Sequence, residues 1–171
     1  MSTVTTMRSS TTVRTRTAVH LTDVITGAFS LIVAHLGLST SYLTGNWEAI
    51  ERGLMTWIEE GTLNGVSLEF GDPAKPIAVY DIPLQYRFSG TAEEEYVANR
   101  ARLARLAAKI VKVPAGTVYR VVVSHNGPHA HVGGWGVTTR ADRSGLTSHN
   151  LGTLGSGPEA TASLNYLARR T

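Results

Sequence analysis

Cysteine is absent from the 171 residues. That excludes disulfides, thiolate nucleophiles, cysteine-ligated zinc and iron–sulfur clusters together, and it suits a reducing compartment. Charge is sparse as well, at 17% of residues against 42% hydrophobic, the balance of a globular protein with a thinly charged surface. Long apolar runs are missing. Ala28–Ala34 is broken by Ser30 and followed by His35, so no stretch approaches the ~18 residues of a membrane span. Met1-Ser2-Thr3-Val4-Thr5 lacks a basic segment followed by an apolar one, so no secretory signal is expected and the expected address is cytoplasmic. At about 150 residues per domain, the length corresponds to one domain able to bury its own core.

The net charge of +3 conceals an asymmetry. Residues 1–22 carry three arginines and no acid, residues 23–98 eleven acids against three bases, and residues 99–171 ten bases against two acids. Either the acidic and basic parts face each other within one fold, or the basic part forms a surface for an acidic partner.

Ten of the first 17 residues are Ser or Thr, too polar for a core element, which predicts a flexible arm over 1–12 and a short edge strand from Val13 to Thr17. Val24, Ala28, Leu31, Ile32 and His35 then recur at helical spacing until Gly37. A second helix begins near Ser39 or Ser41, with Leu43, Trp47, Ile50, Leu54, Trp57 and Ile58 as its apolar stripe, and ends at Gly61. The period switches to two at Val66, Leu68 and Phe70, and Gly71-Asp72-Pro73 turns the chain into a second strand from Ile77 to Phe88. Pro83 inside that strand implies an edge, a bulge or a missing ladder bond. Thr91 and Glu94 form a capping box for a third helix that stops before Pro114, with Arg102, Arg105, Lys109 and Lys112 on one face. Val118–Val123 is a strand. From Asn126 onward glycines punctuate the chain, with a possible short helix over 158–169, and a tail of this length and composition is usually functional or mobile.

Chemistry is hard to find in this order of residues. His125, His129 and His131 could hold zinc with a position left open for water. Pro128 and the adjacent glycines, however, leave no helix or strand to orient the imidazoles, and no carboxylate lies near in sequence to steer them. A polar loop is therefore the preferred reading, and no metal or other cofactor is expected. Gly152-x-x-Gly155-x-Gly157 lacks the preceding strand and following lysine of a phosphate loop, and reads as a flexible loop. Glu93–Glu95 are explained by a helix N-terminus. Trp47 and Trp57 sit at core spacing. Trp135, between Gly134 and Gly136, has no local element to bury it and needs a long-range site.

Several pieces in order carry a resemblance: Trp47-Glu48, Thr56-Trp57, Val66-x-Leu68-Glu69, Pro73, Tyr80-Asp81-Ile82 with Tyr86, Tyr119, Gly127-Pro128, Val132 through Trp135, Leu151-Gly152-Thr153, and Tyr166 with Arg169. Over residues 12–170 the chain resembles the bacterial HORMA domain proteins, in particular the first bacterial family, associated with anti-phage CBASS operons. Tyr80 departs from the pattern, where Trp is expected.

The resemblance implies an α+β fold over 13–171, three helices packed on a small antiparallel sheet with residues 126–171 as a C-terminal safety belt. It implies a regulator without catalytic residues that, closed around a closure-motif peptide, binds and activates a cGAS/DncV-like nucleotidyltransferase. A pachytene-checkpoint-type AAA+ ATPase would reopen it by gripping an N-terminal handle at Arg8, Val13 and Arg14. Tyr119, Val121, Val123, Trp135, Leu151 and Tyr166 are the candidate peptide and belt residues. No membrane or direct nucleic-acid partner is expected. The alternatives from other classes are a His-dependent metal hydrolase at His125, His129 and His131, and a basic nucleic-acid-binding module on the third helix.

Overall fold

The computed structural model describes residues 2–86, 97–98, 101 and 112–169, with residues 2–12 and 97 given by their backbone alone. Among the described residues three helices come first: α1 (Ser2–His35), α2 (Ser41–Gly45) and α3 (Trp47–Glu60). Six described strands follow: β1 (Leu63–Asp72), β2 (Lys75–Tyr86), β3 (Val97–Ala98), β4 (Tyr119–His125), β5 (Leu146–Ser156) and β6 (Ala160–Arg169).

Helix α1 starts earlier than its composition suggests. The strand expected over Val13–Thr17 is instead part of this helix, and Thr17 is buried. Leu21, Ile25, Ala28, Phe29 and Ile32 form one buried stripe, which supplies the hydrophobic gain that a Ser/Thr-rich sequence lacks on its own. The stripe is rotated from the one expected, since Leu31 and His35 are exposed. Val13–His35 is long and apolar enough to cross a membrane by length and composition, contrary to the sequence expectation, with 56% of that window buried inside the domain. Its apolarity serves the core. Gly37, at φ 72°, ends the helix in the left-handed conformation, with Leu38 N–H donating to Val33 C=O and Gly37 N–H to Ala34 C=O. Gly61 ends α3 the same way. The second expected helix is divided at Asn46 into α2 and α3.

The sheet is antiparallel throughout, in the order β3-β5-β6-β2-β1-β4. Alternation sorts each strand into two faces. Val66, Leu68 and Phe70 of β1, with Ala78, Tyr80, Ile82 and Leu84 of β2, join the core shared with α1 and α3. Ser67, Glu69, Val79, Asp81 and Arg120 lie on the other face. Pro83 sits in an interior strand opposite Gly65, and the pairing of β2 with β6 passes from Asp81↔Asn165 to Leu84↔Ala162, which makes the missing ladder bond the correct one of the three sequence readings.

The tail departs furthest from expectation. The short helix over 158–169 is the strand β6, because Ala160, Ala162, Leu164 and Leu167 bury against the sheet while the residues between them are only partly covered. The glycine-rich stretch read as a loop belongs to β5, where register shifts at Asn150/Gly152 and Thr153/Gly155 accommodate the glycines. The third helix lies mostly outside the described residues; within its expected span, Val97–Ala98 pairs with Ser156 and Gly155 as strand β3. Its basic face, Arg102, Arg105 and Lys109, is likewise outside them.

Candidate functional site

Consecutive strands β4 and β5 lie on opposite sides of the sheet, so residues 126–145 must cross from one to the other. This strap is fixed at both ends and leaves a cleft between.

At its start the strap is anchored to α3. Trp57 Nε1 donates to Ala130 C=O at 2.8 Å, and Ala130 N–H donates to the Glu60 carboxylate at 3.3 Å. Arg52 reaches Gly133 C=O at 3.1 Å. Trp135 lays its indole edge-on against Trp57, ring centroids 5.2 Å apart, and Nε1 donates to Ala49 C=O at 2.7 Å. The close approach requires Gly53, where a Cβ would stand 2.4 Å from Trp135 Nε1. Trp135 thus has the long-range site its glycine neighbours imply.

Further along, the strap crosses the outer face of the sheet over a charged network. Glu69 is 1% exposed, an expensive place for a carboxylate unless it is paired. It accepts from Arg120 Nε at 2.8 Å and from the Ala141 backbone N–H at 2.8 Å, and Arg143 Nη1 lies 3.4 Å away. Arg143 also holds Asp81 at 2.7 Å, and Ser67 donates to the same carboxylate. Arg120 contacts Thr138 Oγ1 and Thr139 C=O at 3.1 and 2.7 Å. Acids from β1 and β2 therefore meet bases from β4 and the strap. Here the opposite-sign segments seen in the sequence do face each other inside one fold.

Between the two anchorages is a cleft of about 480 Å³. Its walls are Val121, Val122, Val123 and His125 of β4, Trp57 of α3, and His129, Val132, Trp135 and Val137 along the strap. Strand β4 is the last in the sheet order, so the cleft runs along a sheet edge.

Of the residues singled out from sequence, Val121, Val123 and Trp135 are brought together in this cleft. Tyr119 lies just beyond its end, donating its hydroxyl to Ser39 C=O at 2.6 Å. Leu151 and Tyr166 sit on the β5–β6 hairpin across the sheet, where Tyr166 packs on Tyr80 at 5.0 Å. Val13 and Arg14 lie on α1, with Arg14 3.4 Å from Glu159; the Arg8 side chain is outside the described residues. Sequence reasoning missed Glu69, Asp81, Arg120 and Arg143. The available signal was an acid at an outward strand position of an otherwise apolar run, with a basic segment far along the chain.

The histidines do not assemble a metal site. His125 and His129 stack ring on ring at 3.4 Å, both edge-on to Trp57, while His131 is exposed. Among the described residues, no group of three His, Asp or Glu side chains is placed to hold a metal ion. Burial pushes the His125 imidazole below the ordinary histidine value, His129 pushes it further, and Glu60 opposes both.

A family model described as Bacterial HORMA domain 2 matches residues 1–170. Among solved structures, C. elegans HTP-1 bound to the HIM-3 closure motif matches with TM-score 0.64 at 14% identity, covering 95% of this chain and 91% of that one. A chain of the mitotic checkpoint complex matches with TM-score 0.60 at 9% identity, covering 76% and 74%. A chain of the E. coli MS115-1 CdnC:HORMA-deltaN complex matches with TM-score 0.55 at 12% identity, covering 92% and 90%. No curated protein matches by sequence.

Proposed function

The chain belongs to the bacterial HORMA domains, and from that premise we propose that it is a peptide-capturing regulator of a nucleotidyltransferase in anti-phage CBASS defence. The observation that carries this reading is the strapped cleft along β4, which among the described residues is the last strand of the sheet. A peptide laid along β4 gains main-chain hydrogen bonds by adding a strand, and side-chain pockets give it specificity. Val121, Val123, Trp57 and Trp135 supply apolar walls, while the strap, tied down by Trp135 at one end and by Arg143 at the other, hinders sideways escape. Structural neighbours bound to closure motifs support a peptide as the occupant. The neighbour in complex with CdnC supports a nucleotidyltransferase as the partner that reads the closed form. The chain acts in this scheme by changing shape and partner, and none of its residues is assigned a catalytic role.

Reopening falls to a pachytene-checkpoint-type AAA+ ATPase that pulls on the start of α1, with Arg8, Val13 and Arg14 as the handle. Arg14 contacts Glu159, immediately before β6, so displacing α1 would loosen the β5–β6 hairpin, the C-terminal part of the belt.

The test is to select binders from a displayed random-peptide library on the purified protein and measure them by fluorescence anisotropy. Val123→Pro removes one outward N–H from the β4 edge, and circular dichroism checks that the fold survives. Selected peptides should lose binding to this variant, and adding them should raise the activity of the nucleotidyltransferase co-purified with the parent. Peptides that bind the variant as tightly as the parent would refute edge capture.

A further inference from the structure

The β4 edge is not open along its whole length. Gly71 N–H donates to Val118 C=O at 2.8 Å, and Ser67 and Glu69 pair with Val122 and Arg120, so the even-numbered residues of β4 direct their main-chain groups at β1. Tyr119, Val121 and Val123 therefore direct theirs outward, where an added strand would meet them. The first of these donors inside the cleft is already taken. Val121 N–H donates to the hydroxyl of Tyr42, at 3.3 Å, from α2.

Tyr42 is held in that position. Its ring packs edge-on against Tyr119 at 5.2 Å, and Tyr119 binds Ser39 C=O two residues before α2. The cleft's wall on β4 stops at Val121, and neither Tyr119 nor Tyr42 lines it. At its other end stand the stacked His125 and His129 rings.

We infer that Tyr42 is the stop at one end of the peptide slot, a side chain that holds the Val121 donor and thereby fixes the length and register of the strand that the edge accepts. This rests on the peptide-capture reading above. The open stretch from Val121 to His125 spans about 14 Å at 3.4 Å per residue. It accepts a short extended segment with one apolar side chain turned in among Val121, Val123, Trp57 and Trp135. A longer strand would have to displace a tyrosine hydroxyl and the packing behind it.

Two measurements test this. In the peptide-free protein, amide exchange at Val121 should be slower than in Tyr42→Phe, which keeps the ring and loses the acceptor, by about fivefold. In the second, peptides selected on the parent are extended one residue at a time at either terminus. Affinity for the parent should level off when the peptide reaches Val121, whereas for Tyr42→Ala it should climb about tenfold over the next two residues. Equal length dependence in the two proteins, or unchanged Val121 exchange in Tyr42→Phe, would overturn the stop while leaving edge capture standing. Failure to select any peptide would sink the capture reading itself, and the stop with it.

Discussion

Trp135→Ala removes the indole that anchors the start of the strap to α3. The indole contributes an edge-on contact with Trp57, about 0.5–1.5 kcal/mol, and a hydrogen bond to Ala49 C=O, about 1 kcal/mol. It is only partly buried, so its apolar contribution is well short of the ~3–5 kcal/mol of a fully buried aromatic. A total near 3 kcal/mol falls mainly on the docked strap, because the ring contact and the hydrogen bond both join the strap to α3. At 1.4 kcal/mol per decade, that is about a hundredfold change in the balance between docked and free strap. Limited proteolysis reads this balance directly, since cleavage within 126–145 needs a free strap. Cleavage should accelerate about a hundredfold with the circular dichroism spectrum unchanged, and capture of a selected peptide should weaken in step. Gly53→Ala reaches the same contact from the helix side, where its Cβ would meet both Trp135 and Trp57. It should reproduce the effect with the strap sequence intact. Parental cleavage rates in both variants would refute the anchoring role.

The far anchorage predicts that Arg143→Met, which leaves Glu69 and Asp81 with fewer partners, destabilises strap docking by about 3 kcal/mol; hydrogen exchange at Ala141, whose N–H binds Glu69, should rise accordingly. Tyr80→Phe should raise Tm by about 2–4 °C, since the buried hydroxyl finds no partner among the described residues and its removal is worth about 1 kcal/mol. The His125 imidazole is held below its unfolded value, so its contribution to stability is full above pH 6.5 and lost as pH falls through the folded value; His125→Gln should flatten the decline of Tm between pH 7.5 and 5. The parent protein purified without added metal should carry no stoichiometric zinc; zinc that is lost when His129 and His131 are replaced by alanine would contradict the loop reading.

The β1–β2 hairpin and β4 were legible because their apolar residues alternate and turn residues bound them. Helix α3 was legible from its stripe and from Gly61. The polar start of α1 was not, since Ser and Thr have modest helix propensity and only the tertiary burial of Thr17, Leu21 and Ile25 settles its state. Strand β6 was missed for a related reason. Ala160-Thr161-Ala162-Ser163-Leu164 alternates small apolar with small polar residues, a weak signal that helix-favouring alanines obscure. For the cleft, Trp135 stood out by its glycine neighbours, whereas the β4 valines were named as peptide residues only through the family resemblance. The Glu69–Arg120–Arg143 network could not, because it joins residues 51 to 74 positions apart and becomes visible only when the strap's path is known.

Pro83 has one more consequence. Even-numbered residues of β1 pair toward β2, which leaves the odd positions of β2, Pro83 among them, facing β6. Proline is ordinarily tolerated at an edge and avoided in an interior strand. Its place here would suit a strand that became an edge if the β5–β6 hairpin left. A bare β2 would otherwise offer a flat, apolar row of donors and acceptors to the same strand of another copy. With no N–H at its middle, that row is interrupted. A substitution such as Pro83→Val would make the sheet more regular while the hairpin is docked, and the undocked protein more prone to pair with itself.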